Sequence, residues 1–153
     1  MEFDRKYLEK MAEEISFPEL KLSDIPTVDL YMEQLISLIE SKFIGFKRNA
    51  DDKIFTRTMI NNYTKSGLLM PTENKKYTRD HMILLTLIYN LKNILTINDI
   101  KSLFSPVLNN IAIRDDDIMS LEDIYTTFLE LNNIEFDNLY NSFINKIDLI
   151  NDK

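Results

Sequence analysis

The sequence contains no cysteine and no tryptophan, and its 153 residues include only two glycines, four prolines and one histidine. Without cysteine there is no disulfide framework, no thiolate metal site and no cysteine nucleophile. A single histidine, His81, excludes a two-histidine metal site within one chain. No glycine-rich phosphate loop is present. Long apolar runs are missing too: the longest, MILLTLIY, falls far short of the roughly 20 residues needed to span a bilayer. The first ten residues, MEFDRKYLEK, are charged and amphipathic, which is not a signal-peptide pattern. These absences predict a cytoplasmic protein with no cofactor, no metal and no membrane partner. An enzyme is not expected, because nucleophile and base candidates do not cluster.

What is present is a chain 44% hydrophobic, enough to bury a core in one domain or two small lobes. The formal net charge is −7, but it is unevenly spread. Residues 42–101 carry a local charge of +6, and the rest of the chain carries −13. A basic lobe beside an acidic one gives this asymmetry; so does segregation of charge on solvated faces.

The scarcity of glycine and proline, with long 3.6-residue periodicities, predicts an all-α fold. Phe3, Tyr7, Leu8, Met11 and Ile15 form one apolar stripe. Pro18 and Pro26 bracket a connector expected to be extended. A second helix is predicted over Val28–Phe43, with Tyr31, Leu35, Leu38 and Ile39 inward. Thr56 is the expected N-cap of a short helix, Arg57–Ser66, and Gly67 its stop, because glycine takes the left-handed conformation without a Cβ penalty. MPTENKK reads as a loop or small hairpin. Thr78 opens a helix whose apolar positions, Met82 to Leu85, Leu87, Ile88 and Leu91, cover most of its circumference, so it is central. His81 is expected to be partly exposed in its first turn. Thr96/Asp99 and Ser120/Asp123 have capping-box spacing and start helices expected over 97–108 and 121–132. A last helix is expected over 136–150. Asp115, Asp116 and Asp117 lack the glycine and twelfth-position glutamate of a calcium loop and read as a solvated turn.

A helix ended by glycine, an apolar pair, a basic loop and a buried helix follow one another as in a winged helix-turn-helix. Thr56, Ile60, Tyr63, Gly67, Leu68 and Leu69 resemble in register the pattern of MerR-like DNA-binding domains, Ser-x-x-x-Leu-Arg-Tyr-Tyr-x-x-x-Gly-Leu-Leu. Lys75 and Tyr77 fall where those domains carry a basic wing residue and the following tyrosine. Leu95, Thr96, Ile97, Asp99, Ile100, Leu103 and Phe104 are similar to their next conserved segment. Asn61 and Asn62 stand where that group has its Arg-Tyr pair, and the loop 44–55 is longer than its usual turn. Over more of the chain, the runs IPxxDLYM, TxTMINNYxKxGLL and KKYxRxH, matched from Ile25 to His81, resemble a bacterial family catalogued only as a domain of unknown function.

The MerR-like resemblance implies sequence-specific binding of double-stranded DNA by a transcriptional regulator acting as a homodimer, with an effector of unstated nature. Three segments are expected: an amphipathic helix and connector (1–24), a winged helix-turn-helix lobe (25–104) and an acidic helical lobe for dimerisation or effector response (105–153). Arg57, Thr58, Asn61, Asn62 and Lys65 share one side of the recognition helix. Asparagine can pair with both N6 and N7 of adenine. Lys47, Arg48, Lys53, Lys75 and Lys76 lie on flanking loops as phosphate contacts, which position without specifying. The alternative is a helical protein-interaction module in which Asn61 and Asn62 are simply a solvated face.

Overall fold

The long 3.6-residue periodicities become helices, and the one stretch where two β-prone segments meet becomes a ladder. The computed structural model describes residues 4–14, 20–47, 49, 51–113 and 119–151. Among them are α1 (Arg5–Glu14), β1 (Leu30–Tyr31), α2 (Met32–Phe43), α3 (Arg57–Ser66), β2 (Lys76–Tyr77), α4 (Arg79–Leu91), α5 (Ile97–Ile113) and α6 (Leu121–Asn151). The fold is mostly helical, with one small two-stranded sheet. The chain divides into two compact units, one of Met1–Phe17 with Thr127–Lys153, the other of Pro18–Thr126.

The larger unit is organised on α4, in which nine consecutive residues from His81 to Tyr89 are buried. An all-round apolar sequence has no solvent face to offer, so the helix lies inside. Leu35, Ile39 and Phe43 of α2, Ile60 and Tyr63 of α3, Leu68 and Leu69, and Ile100 and Phe104 of α5 complete the core. Each leucine or isoleucine fully buried contributes about 1.5–3 kcal/mol. Phe43 and Tyr89 pack at 4.9 Å between ring centroids, and Phe55 meets both Tyr63 and Tyr89 edge-on.

Arg79, at the first position of α4, fixes the connector before β1. It pairs with Glu122 and donates to the Ile25 and Leu22 carbonyls. Leu22 opens a single turn of 3₁₀ helix, Leu22–Asp24, and Ile25 follows it, where an extended connector was expected throughout. Tyr125 adds a hydroxyl donated to the Leu20 carbonyl.

Three helix boundaries differ from the sequence reading. The second helix starts at Met32 instead of Val28, because Leu30 and Tyr31 pair with Tyr77 and Lys76 in an antiparallel ladder. Tyr31 is consequently exposed, whereas Leu35 and Ile39 are fully buried as expected. The fifth helix runs past Leu108 to Ile113 with Pro106 inside it. Pro106 has no N–H for the Ser102 carbonyl, and the Ser105 hydroxyl donates to that carbonyl instead. The last two expected helices are one, α6, since nothing in NNIE breaks a helix and asparagine costs only tenths of a kcal/mol there. Both capping boxes form: Asp99 accepts from the Thr96 N–H and Asp123 from the Ser120 N–H.

In the smaller unit, Asp4 accepts from the Lys6 N–H at 3.0 Å and so caps α1. Arg5 bonds Glu9 at 3.0 Å and Asp148 of α6 at 3.3 Å. Ile144 and Ile147 are buried there, while Tyr7 and Met11 of the N-terminal stripe are exposed. Phe3, Ile15, Pro18 and the aspartates 115–117 lie outside the described residues.

Candidate nucleic-acid interface

Helix α3 is fixed at both ends by its own sequence. The Met59 N–H donates to the Thr56 hydroxyl at 3.1 Å, capping the first turn. Gly67 has φ of +75°, its N–H donates to the Thr64 carbonyl, and the Leu68 N–H donates to the Tyr63 carbonyl. This 6→1 and 5→2 pairing is a Schellman ending. It drives Leu68 and Leu69 into the core, both essentially without exposure. Ile60 and Tyr63 anchor the inward side of the helix.

The outward side consists of Arg57, Thr58, Asn61, Asn62 and Lys65, all exposed. Thr58, Asn61, Asn62 and Lys65 make no hydrogen bond or ion pair with another described residue. Arg57 differs: it pairs with Glu33 in the first turn of α2, both side chains about two-thirds exposed. At the other end of α3, the Lys101 ammonium donates to the Ser66 carbonyl, where a cation also complements the helix dipole.

The MPTENKK segment closes as a hairpin. The Lys76 N–H donates to the Glu73 carbonyl at 3.0 Å, and Asn74 and Lys75 have φ of 51° and 60°. Positive φ at both central residues is the type I′ geometry, whose twist suits the flanking strands. Lys75 is exposed at the tip. The Lys76 ammonium lies 5.5 Å from the centroid of the Tyr31 ring. Tyr31 and Glu33, two residues apart, therefore touch the hairpin and α3 respectively, which brings both to the same end of α2.

His81 closes the base of the hairpin. Its Nδ1 accepts from the Thr78 N–H at 3.1 Å, and its Nε2 lies 3.1 Å from the Met70 carbonyl. With Nδ1 an acceptor, the proton sits on Nε2 and is donated to Met70. The residue is 4% exposed, against the expectation of a partly exposed side chain. Three residues after Thr78, it fills the reciprocal capping role usually taken by glutamate. Burial holds its pKa below the ordinary histidine value, opposed by the Met70 carbonyl and by Asp80 and Asp29.

The loop lysines separate. Lys47 pairs with Glu40 and its side chain is only 11% exposed, so its charge is already committed. Glu40 also accepts from the Ile54 N–H at 2.8 Å; burial opposes its ionisation, but Lys47 and that N–H hold it below the ordinary carboxylate range. Lys53 is exposed and has no ion-pair partner among the described residues. Arg48 lies outside the described residues.

The runs IPxxDLYM, TxTMINNYxKxGLL and KKYxRxH thus occupy β1 and the start of α2, α3 with its caps, and the hairpin with its His81 closure. The chain belongs to the family described as Domain of unknown function (DUF1836), whose model matches residues 20–128. That DUF1836 span coincides with the larger compact unit to within two residues at each end. No curated protein and no solved structure matches the chain. Within the DUF1836 region, Thr56, Ile60, Tyr63, Gly67, Leu68, Leu69, Tyr77, Arg79 and His81 have folding roles, as caps, core or clamps. Thr58, Asn61, Asn62, Lys65 and Lys75 have none that the fold requires. Glu33, Arg79, His81 and Lys101 were not expected as site residues from sequence, although Arg79 and His81 fall in the KKYxRxH run. His81 also stands at capping-box distance from Thr78. Among the described residues no group of three or more acidic or histidine side chains is placed to hold a metal, and no helix is long and apolar enough to cross a membrane.

Proposed function

We propose that the protein binds double-stranded DNA sequence-specifically, as a MerR-like winged helix-turn-helix transcriptional regulator. In this reading α2 and α3 are the helix-turn-helix pair and the Glu73–Lys76 hairpin is the wing. The observation that carries it is the outward side of α3. Thr58, Asn61, Asn62 and Lys65 are exposed on a helix capped at both ends, and no partner among the described residues takes up their side-chain hydrogen-bonding groups. Asn61 and Asn62 have the donor and acceptor pair that adenine presents in the major groove. Lys53, Lys65 and Lys75 supply phosphate contacts. Lys47 contributes little, since reaching a phosphate would break its pair with Glu40.

Regulators of this kind bind two-fold sites as homodimers. The dimer contact in this reading uses the smaller unit, where Leu131, Ile134, Leu139, Phe143, Leu149 and Ile150 of α6 are each more than half exposed. Clusters of this kind mark interaction surfaces.

A second reading, a helical protein-interaction module, is favoured by one observation. Glu33 neutralises Arg57 and places a carboxylate beside α3, where a phosphate backbone would approach. Amide chemical-shift mapping on addition of duplex DNA separates the two. The regulator reading expects shifts concentrated in α3 and residues 73–76. Shifts elsewhere, or none at near-physiological salt, would favour the interaction module.

A further inference from the structure

A cavity of about 240 Å³ opens beside the segment leading into α3, walled by Phe46, Lys47, Asp52, Lys53, Ile54, Tyr89, Lys92 and Asn93. Lys92 follows the last turn of α4 and is half-buried. Its ammonium lies 4.7 Å from the Tyr89 ring centroid and 5.2 Å from that of Phe55, and it donates to the Ile54 carbonyl at 3.3 Å. An ammonium has three donors, and this carbonyl is the one acceptor that Lys92 finds among the described residues. No described carboxylate lies within ion-pair distance of it. Of the acidic groups here, Asp52 is itself part of the wall, with its Oδ2 accepting from the Asn49 backbone and side-chain N–H groups, and Glu40 holds Lys47 and the Ile54 N–H. A buried charge without a counter-ion is costly, and Lys92 is held below the ordinary lysine pKa by that burial. Aromatic faces compensate only in part.

We infer that this cavity is a binding site for a small oxyanion, a phosphate or carboxylate group, held by Lys92 and Lys53 with the Asn93 amide at the rim. The anion supplies the acceptors that the two free Lys92 donors lack, and charge-assisted hydrogen bonds of this kind are the strong class. The cavity has room for a small ligand around that group, with the Tyr89 ring as a flat apolar wall. The site shares Lys53 with the proposed DNA contacts, but Lys92 has no part in them, so its response to a small anion in the absence of DNA tests the site separately.

The test is an NMR titration of the lysine ε-CH₂ signals with inorganic phosphate and, separately, with succinate, each at constant ionic strength against sodium chloride. The expected result is a saturable shift of the Lys92 signal with one of the two anions, and that anion names the class. Saturation should also raise the Lys92 titration midpoint. Lys92→Met keeps the apolar stem over the rings and should weaken binding about tenfold or more, the worth of one charge-assisted hydrogen bond. Lys53→Ala, at an exposed position, should weaken it severalfold. Shifts that stay linear and match those of chloride for both anions would overturn the proposal on the unaltered protein alone. Undiminished binding to Lys92→Met would overturn it as well.

Discussion

Replacing His81 with leucine should both destabilise the protein and change how its stability depends on pH. Leucine is close in volume, so packing is largely kept and the polar loss dominates. Three groups lose their partner: the Thr78 N–H, 3.1 Å from Nδ1, the Thr78 hydroxyl, 2.8 Å from the same nitrogen, and the Met70 carbonyl, 3.1 Å from Nε2. Leaving a buried polar group unsatisfied costs about 1–3 kcal/mol. Thr78 is exposed and Met70 half-buried, so water recovers part of this. The expected loss is about 2–4 kcal/mol, including the reciprocal half of the α4 cap. The pH effect follows from a folded-state pKa that burial has lowered. Above the unfolded-state value of about 6.5, both states are neutral and the contribution of His81 is constant. As pH falls below it, the unfolded chain binds a proton that the folded protein refuses, so stability falls by up to about 1.4 kcal/mol per pH unit. Asp80 is raised by burial and by Glu122, and it contributes with the opposite sign; because His81 lowers it, losing His81 leaves Asp80 higher and adds to the narrowing of the gap on acidification. Urea unfolding of parent and His81→Leu at pH 7.5 and pH 5.5 provides the measurement. The gap between them should be largest at pH 7.5 and shrink on acidification. A gap below about 1 kcal/mol at pH 7.5, or one that does not change with pH, would refute the assignment of a neutral His81 bonded to Thr78 and Met70.

Gly67→Ala should lower stability by about 1 kcal/mol, because alanine is strained at φ of +75° even though its Cβ would meet only Lys101 at an ordinary 3.6 Å; a thermal melt with an unchanged or higher midpoint would contradict this. Lys75→Ala should reduce the slope of log affinity against log salt by about one, the share of a single phosphate contact, and fluorescence anisotropy over a salt series reads it directly. Glu33→Gln should free Arg57 and remove a carboxylate from beside α3, so that, on the proposed function, duplex affinity should rise, most clearly at low salt where screening is weakest; weaker binding in the same assay would show that the pair positions Arg57.

What the sequence made legible was local. Thr56, Gly67 and the two capping boxes each act within four residues, and each sits where its chemistry puts it. The apolar circumference of α4 was equally readable, since no arrangement exposes such a helix. The ladder of Leu30 and Tyr31 with Lys76 and Tyr77 was not, because its partners are more than forty positions apart and Leu30–Tyr31 also continues the helical period of α2. Comparable distance hid the clamp of Arg79 on Leu22 and Ile25, and 24 positions separate Glu33 from Arg57, its ion-pair partner. His81 was misplaced because a lone polar residue in a first turn is normally solvated, and only the fold brings Met70 to its other nitrogen. For the interface, exposure of the five α3 residues followed from helical spacing. The commitment of Lys47 to Glu40 did not, as it depends on how the chain turns after α2.

The central claim is that α3 reads DNA sequence. Selection of bound duplexes from a random pool, run in parallel on the parent protein and on Asn61→Ala, tests it most directly. The account predicts that the parent enriches a defined motif, and that Asn61→Ala relaxes one position of it by about 1–3 kcal/mol while non-specific affinity is nearly unchanged. Enrichment of no motif by the parent, or of the same motif with the same stringency by Asn61→Ala and by Asn62→Ala, would contradict it.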